Sequence, residues 1–276
     1  MPLKKYIVLD KKIGETPLEC AQAWRAAAPL AYQNLPLSYA GRLDPMASGK
    51  LLVLIGEECK HQEKYHALDK EYQFSVLFGL ASDTHDVLGR LTKCEDTAPI
   101  IDKKKLGGVA RSFTGEISLP FPLFSAKTVQ GKPLHMWTLE NRLDEIEIPT
   151  QTSTIYRLKV DRLEQKSRAA VYTQALAKIN SIAPVTDPRK ALGNDFRRTD
   201  VRADWQKWRE SGQPEDLFTI AHFTCTASSG TYMRSLAVEI GERLDHTPTL
   251  ALSIHRTKIG KYKKIPLIGG IWIKKF

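Results

Sequence analysis

Asp44 is the residue whose setting points most directly to chemistry. It lies in "YAGRLDPMASGKLLVLIG", residues 39–56, two positions after Arg42 and directly before Pro45. Gly41 and Gly49 bracket it, and an apolar run follows. Four readings of that carboxylate compete. A phosphate-binding loop ending in "SGK" fails on spacing, because it needs glycine where Asp44 stands and Ser or Thr where Leu51 stands. A metal site would join Asp44 to Asp83, His85 and Asp86 of "SDTHD", although Asp and Thr are also common turn residues. A structural turn is the default for any Asp-Pro pair. The fourth reading is a nucleophile or acid/base group on a loop held by a rigid sheet. Arg42 and Arg234 are then its candidate partners, since an arginine beside a buried carboxylate favours the ionised form. The residues alone leave the turn and the catalytic readings both open. His61 and His66 are five apart and off one helical face, so they do not form a ligand pair.

The elements that would carry these groups are legible in part. "KYIVLD" reads as a strand. Thr16, Pro17 and Glu19 in "GETPLECAQAWRAAA" form a capping box with proline at the first helical position. Leu51 to Ile55 suits a buried strand. "EYQFSVLFG" alternates Tyr72, Phe74, Val76 and Phe78 on one face, the pattern of a half-buried strand. "KKKLGGVARSFTG" predicts a short helix weakened at Gly107-Gly108. "TIYRLKVDRLE" and "HFTCTAS" predict further strands. The second leads through Ser228-Ser229-Gly230 into "TYMRSLAVEIGERL", where Leu236, Ala237, Ile240 and Leu244 recur at helical spacing. Strands outnumber helices in uneven order, which predicts an α+β fold with a large mixed or antiparallel sheet. Residues 183–217 are rich in charge and turn formers and read as an insertion or ordered loop, with a short helix around Asp204 to Glu210.

Composition bounds the function classes. The 276 residues carry 41 Lys plus Arg against 31 Asp plus Glu, a formal net charge of +10, which points to a polyanionic partner. Four scattered cysteines contain no C-x-x-C pair, so neither zinc binding nor a disulfide framework is supported. The N-terminus lacks the long apolar segment of a signal peptide, and no apolar run is long enough to span a bilayer. A cytoplasmic location is the expectation.

Several motifs in order resemble one family. "GRLDPMASGKLLVLIGEECK" is similar to the catalytic motif of the TruB-type tRNA pseudouridine synthases. So are "LDKKIGETP", "DKEYQFSVLFGLASDTHDVLG", "FTGEISLPFPLFSAKTVQGKPLHMW", "ASSGTYMRSLAVEIGERL" and "LSIHRTKIGKY" to that family's other blocks. The resemblance runs from about Tyr6 to Tyr262, apart from 183–217. It implies a pseudouridine synthase fold, a large mixed but mostly antiparallel sheet flanked by helices and loops. It implies isomerisation of uridine in RNA without cofactor or metal, with uridine 55 in the TΨC loop of tRNA as the expected target. Asp44 matches the essential aspartate, Arg234 its arginine partner and Tyr72 the aromatic that stacks on the target base. Tyr39, Arg42, Lys11, Tyr232 and Asp86 are the expected substrate-binding residues. Lys60, Lys64, Arg197, Arg198 and "HRTKIGKYKK" are candidate phosphate contacts.

The sequence also departs from the family pattern. Tyr39 stands where a histidine is usual, keeping an aromatic wedge without the imidazole. Lys12 replaces a proline, Phe124 a tyrosine, Ala227 a cysteine and Ser229 a lysine. Residues 1–262 are expected to form the catalytic domain and 263–276 a short basic tail, with no separate PUA domain. The expected partner is the TΨC stem-loop of tRNA, with no membrane and no obligatory protein partner, and the protein is expected to be a monomer. Three rival readings are a non-catalytic tRNA-binding or folding-helper protein, a pseudouridine synthase acting on another RNA, and a metal-dependent hydrolase built on Asp44 with Asp83, His85 and Asp86.

Overall fold

The computed structural model describes residues 3–95, 99–185, 195–265 and 269–276. The strands are β1 (Tyr6–Lys11), β2 (Leu37–Ala40), β3 (Ala47–Ile55), β4 (Asp69–Phe78), β5 (Leu80–Ser82), β6 (Leu91–Cys94), β7 (Gly115–Pro120), β8 (Thr128–Val129), β9 (Lys132–Pro133), β10 (Thr150–Ser167), β11 (Leu217–Ala227), β12 (Thr249–Ile265) and β13 (Gly269–Lys275). The helices are α1 (Pro17–Ala27), α2 (Leu30–Gln33), α3 (Glu63–His66), α4 (Lys103–Ser112), α5 (Leu134–Leu139), α6 (Arg168–Ser181), α7 (Arg198–Glu210) and α8 (Met233–Glu242).

One large sheet organises the molecule, in the order β1-β3-β12-β4-β11-β10-β7, with β2 added to β3 and β13 to β12. Every pairing in it is antiparallel except β3 with β12. The fold is therefore the α+β type with a mixed, mostly antiparallel sheet. β1 occupies one edge of β3 along Gly49–Leu54. On the other edge β12 pairs with Ala47–Gly49 and β2 with Leu52–Ile55. β2 and β12 thus part company beside β3, and the loop carrying Asp44 sits at that fork.

The core lies under four helices. Leu106 of α4, Val171, Ala175 and Ile179 of α6, Trp205 of α7, and Leu236 and Ile240 of α8 share one cluster with Phe74, Val76 and Phe78 of β4. β4 is more deeply buried than its alternation predicts, because β12 and β11 flank it and Val76, Leu77 and Phe78 are all buried. The capping box of α1 is present: the Glu19 N–H donates to Thr16 Oγ1, and the Thr16 N–H to the Glu19 carboxylate.

Two parts of the sequence reading change. Within 183–217, residues 186–194 lie outside the described residues, but α7 spans three turns and buries Val201, Trp205 and Trp208. It is a core element, because apolar residues at 201, 205 and 208 share one helical face. The segment expected as a short basic tail, 263–276, carries a strand. β12 continues to Ile265 and pairs with β13, from Gly260↔Lys275 to Ile265↔Gly269.

Candidate active site

The Asp44 loop is held almost entirely through its carbonyl groups. Arg256 is fully buried and donates to Lys50 O at 2.6 Å, Gly41 O at 3.1 Å and Arg42 O at 3.5 Å. Lys11, also fully buried, donates to Ala47 O at 2.7 Å and Lys12 O at 2.9 Å. The Gly14 N–H donates to Pro45 O. The Ala47 N–H donates to Asp44 O, so Asp44-Pro45 is also a turn. The turn reading and the catalytic reading are compatible: the backbone makes the turn and the carboxylate is left to the cleft.

Across that cleft stands Arg234, on the first turn of α8 after the Ser228-Ser229-Gly230 turn. Its Nε donates to Asp44 Oδ2 at 2.8 Å, and Nη1 donates to Thr84 O at 2.9 Å. Nη2 reaches Phe124 O at 3.4 Å. Asp86 Oδ2 lies 3.6 Å from the same Nε. A cation in the first turn of a helix opposes the helix dipole; two carboxylates offset that here. Burial works against the Arg234 charge, but Asp44 and then Asp86 outweigh it and leave the pKa raised. Burial lifts the Asp86 carboxyl above the usual range, against the pull of Arg234 and the hydrogen bond from Thr84. The exposures decide the roles. The Arg234 side chain is 6% exposed and that of Asp44 is 41% exposed, so the arginine is scaffold and the carboxylate is presented. Asp44 Oδ1 has no protein hydrogen bond among the described residues.

The cleft they share encloses about 520 Å³. Tyr72, 9% exposed, forms its wall from β4, in register with Cys225 on one side and Arg256 on the other. Tyr232 and Phe121, which also line the cleft, meet edge to face at 5.3 Å. Burial, and then the Asp44 charge, push the Tyr232 hydroxyl's pKa up. Arg42 and Lys127 stand exposed at the mouth. An aromatic-walled cleft of mixed polarity, with one carboxylate and a cationic rim, suits a single planar, uncharged base on a phosphate backbone.

Of the residues read from the sequence, Asp44, Tyr72, Arg234, Tyr232 and Arg42 line the cleft. Asp86 sits behind Arg234. Lys11 does not reach the cleft: its ammonium is enclosed by carbonyls beneath the loop, and burial pushes its pKa down to about 8. Tyr39 is likewise absent from the cleft lining. It packs with Cys20, Ala21, Leu51 and Val53 under α1, where an apolar ring on β2 is sheltered. Arg197, Arg198 and Arg256 are not free phosphate contacts. Arg197 pairs with Asp83, Arg198 with Asp195, and Arg256 is enclosed. Asp83 and Asp86 are each matched to an arginine. Among the described residues no group of three His, Cys, Asp or Glu could hold a metal ion. His85 is pushed down to about 4, chiefly by burial and then by Arg234, and is neutral at pH 7.

The sequence reading missed Arg256 as the clamp of the loop and Lys70 as part of the cleft wall. Lys70 lies two residues before Tyr72 on one strand face, a spacing that places both toward the same pocket. Burial, with Arg256 nearby, pushes its pKa down to about 8.

Known proteins are similar to this chain in sequence and in fold. Residues 32–178 match the family model of the "TruB family pseudouridylate synthase (N terminal domain)". A tRNA pseudouridine synthase B of Caldanaerobacter subterraneus is 32% identical over 150 residues, 51% of this chain and 52% of that protein. The protein of the same name from Bacillus licheniformis is 25% identical over 93% of this chain and 65% of its own length. The tRNA pseudouridine synthase 4 of Saccharomyces cerevisiae is 28% identical over 76% of this chain and 58% of its own. These alignments span about half to two thirds of the relatives' lengths. The crystal structure of a Cbf5-Nop10-Gar1 complex superposes with a TM-score of 0.52 at 19% identity, over 92% of this chain and 48% of that one, which shows a common fold. With more than half of its residues inside the family model, and the loop aspartate, the strand tyrosine and the helix arginine meeting in one cleft, the chain belongs to the TruB family of pseudouridylate synthases.

Proposed function

We propose that this chain isomerises uridine to pseudouridine in RNA, and that its target is uridine 55 in the TΨC loop of tRNA. The observation that carries the reading is the Asp44–Arg234 pair at 2.8 Å beside Tyr72, with one carboxylate oxygen left toward the cleft. In the reaction the C1′–N1 bond breaks, the base turns and a C1′–C5 bond forms. The proton at C5 leaves and N1 gains one, so no atom is added or lost and no co-substrate is required. Asp44 can attack the ribose or the base, or remove a ribose proton. Arg234 fixes the carboxylate's orientation and balances its charge. Tyr72 stacks on a base flipped out of the RNA, a contact worth on the order of 1–3 kcal/mol, and can serve in proton transfer at carbon. The net charge of +10, with Arg42 and Lys127 at the mouth, supplies the attraction to phosphates. Among the described residues no helix is long and apolar enough to cross a membrane.

The test is incubation with unmodified tRNA transcript in the presence of a chelator, with pseudouridine mapped by chemical labelling and primer extension. One new stop in the TΨC loop is expected for the wild type, and none for Asp44→Asn, with tRNA binding retained. A wild type that binds tRNA and forms no pseudouridine overturns the reading in favour of a binding protein. Activity that disappears only with the chelator overturns it in favour of metal chemistry.

A further inference from the structure

We propose that Arg197 is a positioning residue for this site, setting Arg234 through the two backbone segments that hold it. The inference rests on the pseudouridine-forming reading above. Arg234 is oriented by two carbonyls, Thr84 O and Phe124 O, besides its carboxylates. Those carbonyls belong to separate segments, the turn after β5 and the chain after β7. Arg197 grips both. Its Nη1 and Nη2 donate to Asp83 Oδ2 and Oδ1 at 2.5 and 3.4 Å, one residue before Thr84. The same guanidinium lies over the Phe124 ring, 4.3 Å from its centroid. One planar cation thus spans the interval between the two segments, in the geometry that favours arginine over lysine.

The rest of α7 reinforces that grip. Arg90 pairs with Asp200 at 3.2 Å and with Asp204, and Trp205 Nε1 donates to Val87 O at 3.3 Å. These contacts tie α7 to the same 82–90 turn that presents Thr84 O and Asp86. The start of α7 is also strained. Asp195, Phe196 and Arg197 all have positive φ, at 54°, 56° and 60°. Three consecutive non-glycine residues in the left-handed region persist only where the surroundings fix them. The contacts of Arg197 with Asp83 and Phe124 are part of what does so. Position 197 therefore acts on Arg234 through its neighbours. With both Nη groups engaged by Asp83, it does not act as a phosphate contact.

The experiment separates chemistry from binding. Single-turnover rate, tRNA affinity and the salt dependence of that affinity are measured with unmodified tRNA transcript for the wild type, Arg197→Ala, Arg197→Lys and Phe124→Leu. Arg197→Ala is expected to lower the single-turnover rate on the order of 10- to 100-fold, as a slight misplacement of a reacting constellation does. Affinity and salt slope stay at wild-type values. Arg197→Lys keeps a charge on Asp83 without the planar stack and recovers part of the rate. Phe124→Leu also lowers the rate, and the Arg197→Ala/Phe124→Leu pair loses less than the product of the two single effects. An unchanged rate overturns the proposal, as does a loss confined to affinity and salt slope. Should Arg197→Ala fail to fold, Arg197→Lys and Phe124→Leu decide, and full rates in both overturn it. A wild type that makes no pseudouridine overturns the underlying reading instead.

Discussion

Replacing Gly49 by alanine tests whether the fork between β2 and β12 sets the position of Asp44. Gly49 has φ +104°, and a Cβ there would lie 2.2 Å from Arg256 O and 2.8 Å from Arg256 N. Both are backbone atoms and cannot swing aside as a side chain would. Ordinary contact begins at 3.4 Å, so β3 and β12 must part by about 1 Å where Gly49 faces Arg256. The left-handed backbone costs about 1–2 kcal/mol for a residue with a Cβ. A shift of that size carries the 3.1 Å contact from Arg256 to Gly41 O beyond hydrogen-bonding range, and a hydrogen bond from a charged group is worth about 1.5–3 kcal/mol. The sum is about 2.5–5 kcal/mol, a large share of a typical domain's stability. Asp44 moves with its loop, and a misplacement near 1 Å lowers the chemical step by roughly 100-fold. Urea unfolding should show a lower midpoint at unchanged m-value, and single-turnover pseudouridine formation should fall in the fraction that remains folded. A midpoint equivalent to a loss below about 0.5 kcal/mol, within ordinary surface-mutation effects, refutes the close approach. Lost stability with full single-turnover rate refutes the link from that approach to Asp44.

Other perturbations probe separate features. Asp86→Asn removes the carboxylate 3.6 Å from Arg234 while an amide preserves the hydrogen bonds with Thr84 and Leu88; the single-turnover rate should fall on the order of 10- to 100-fold with tRNA affinity intact. Lys11 gives a pH signature in stability. Its folded pKa is depressed to about 8, so between pH 8 and the unfolded value near 10.5 the unfolded chain binds more protons, and the Lys11 contribution rises with pH. The wild type should gain about 1–3 kcal/mol relative to Lys11→Met between pH 7 and pH 10, read from urea midpoints; a flat difference contradicts the buried ammonium. On the hairpin of β12 and β13, Lys261 directly faces Lys274, a destabilising juxtaposition of like charges. Changing Lys261, Lys263, Lys264 and Lys274 to Gln should leave unfolding midpoints unchanged or higher. It should also reduce the slope of log K against log salt for tRNA by about 0.7–0.9 for each phosphate that is no longer neutralised.

What the sequence made legible was local. The Thr16 capping box, the alternation through Tyr72, the apolar run of β3 and the helical spacing of Leu236, Ala237 and Ile240 are each decided within one element. All of them appear in the structure. Asp44, Tyr72 and Arg234 could be singled out because each sits inside a recognisable short motif. The long-range features could not be read this way. The parallel contact of Ala47–Gly49 with Ile254–Arg256 joins residues about 200 positions apart. α7 looked like a polar insertion because only one of its faces, through Val201, Trp205 and Trp208, enters the core, and charged residues dominate the rest. β13 has Ile271 and Ile273 on either side of Trp272 and ends in Lys274-Lys275, and its partner strand is needed to decide whether it is ordered.

The misplaced cations share one physical cause. Lys11, Arg197, Arg198 and Arg256 are cations in a strongly basic chain; charge suggested RNA contact for the three arginines, and the family's N-terminal motif suggested a substrate contact for Lys11. Each is instead held by oxygen atoms of the protein itself. Lys11 and Arg256 hold the carbonyls of the Asp44 loop, Arg198 the Asp195 carboxylate, and Arg197 the carboxylate next to Thr84. A tight loop turns several carbonyls away from any strand or helix, and buried carbonyls need donors. Lysine and arginine supply multiple donors from one side chain, which suits a loop with several carbonyls to satisfy near one carboxylate. The enclosed cations also place positive charge behind Asp44, while the exposed cations Arg42 and Lys127 stand at the mouth. A basic composition therefore has two separable uses here, which exposure distinguishes and sequence does not. Variants of the enclosed set should alter rate and stability, whereas variants of the exposed set should alter affinity and its dependence on salt.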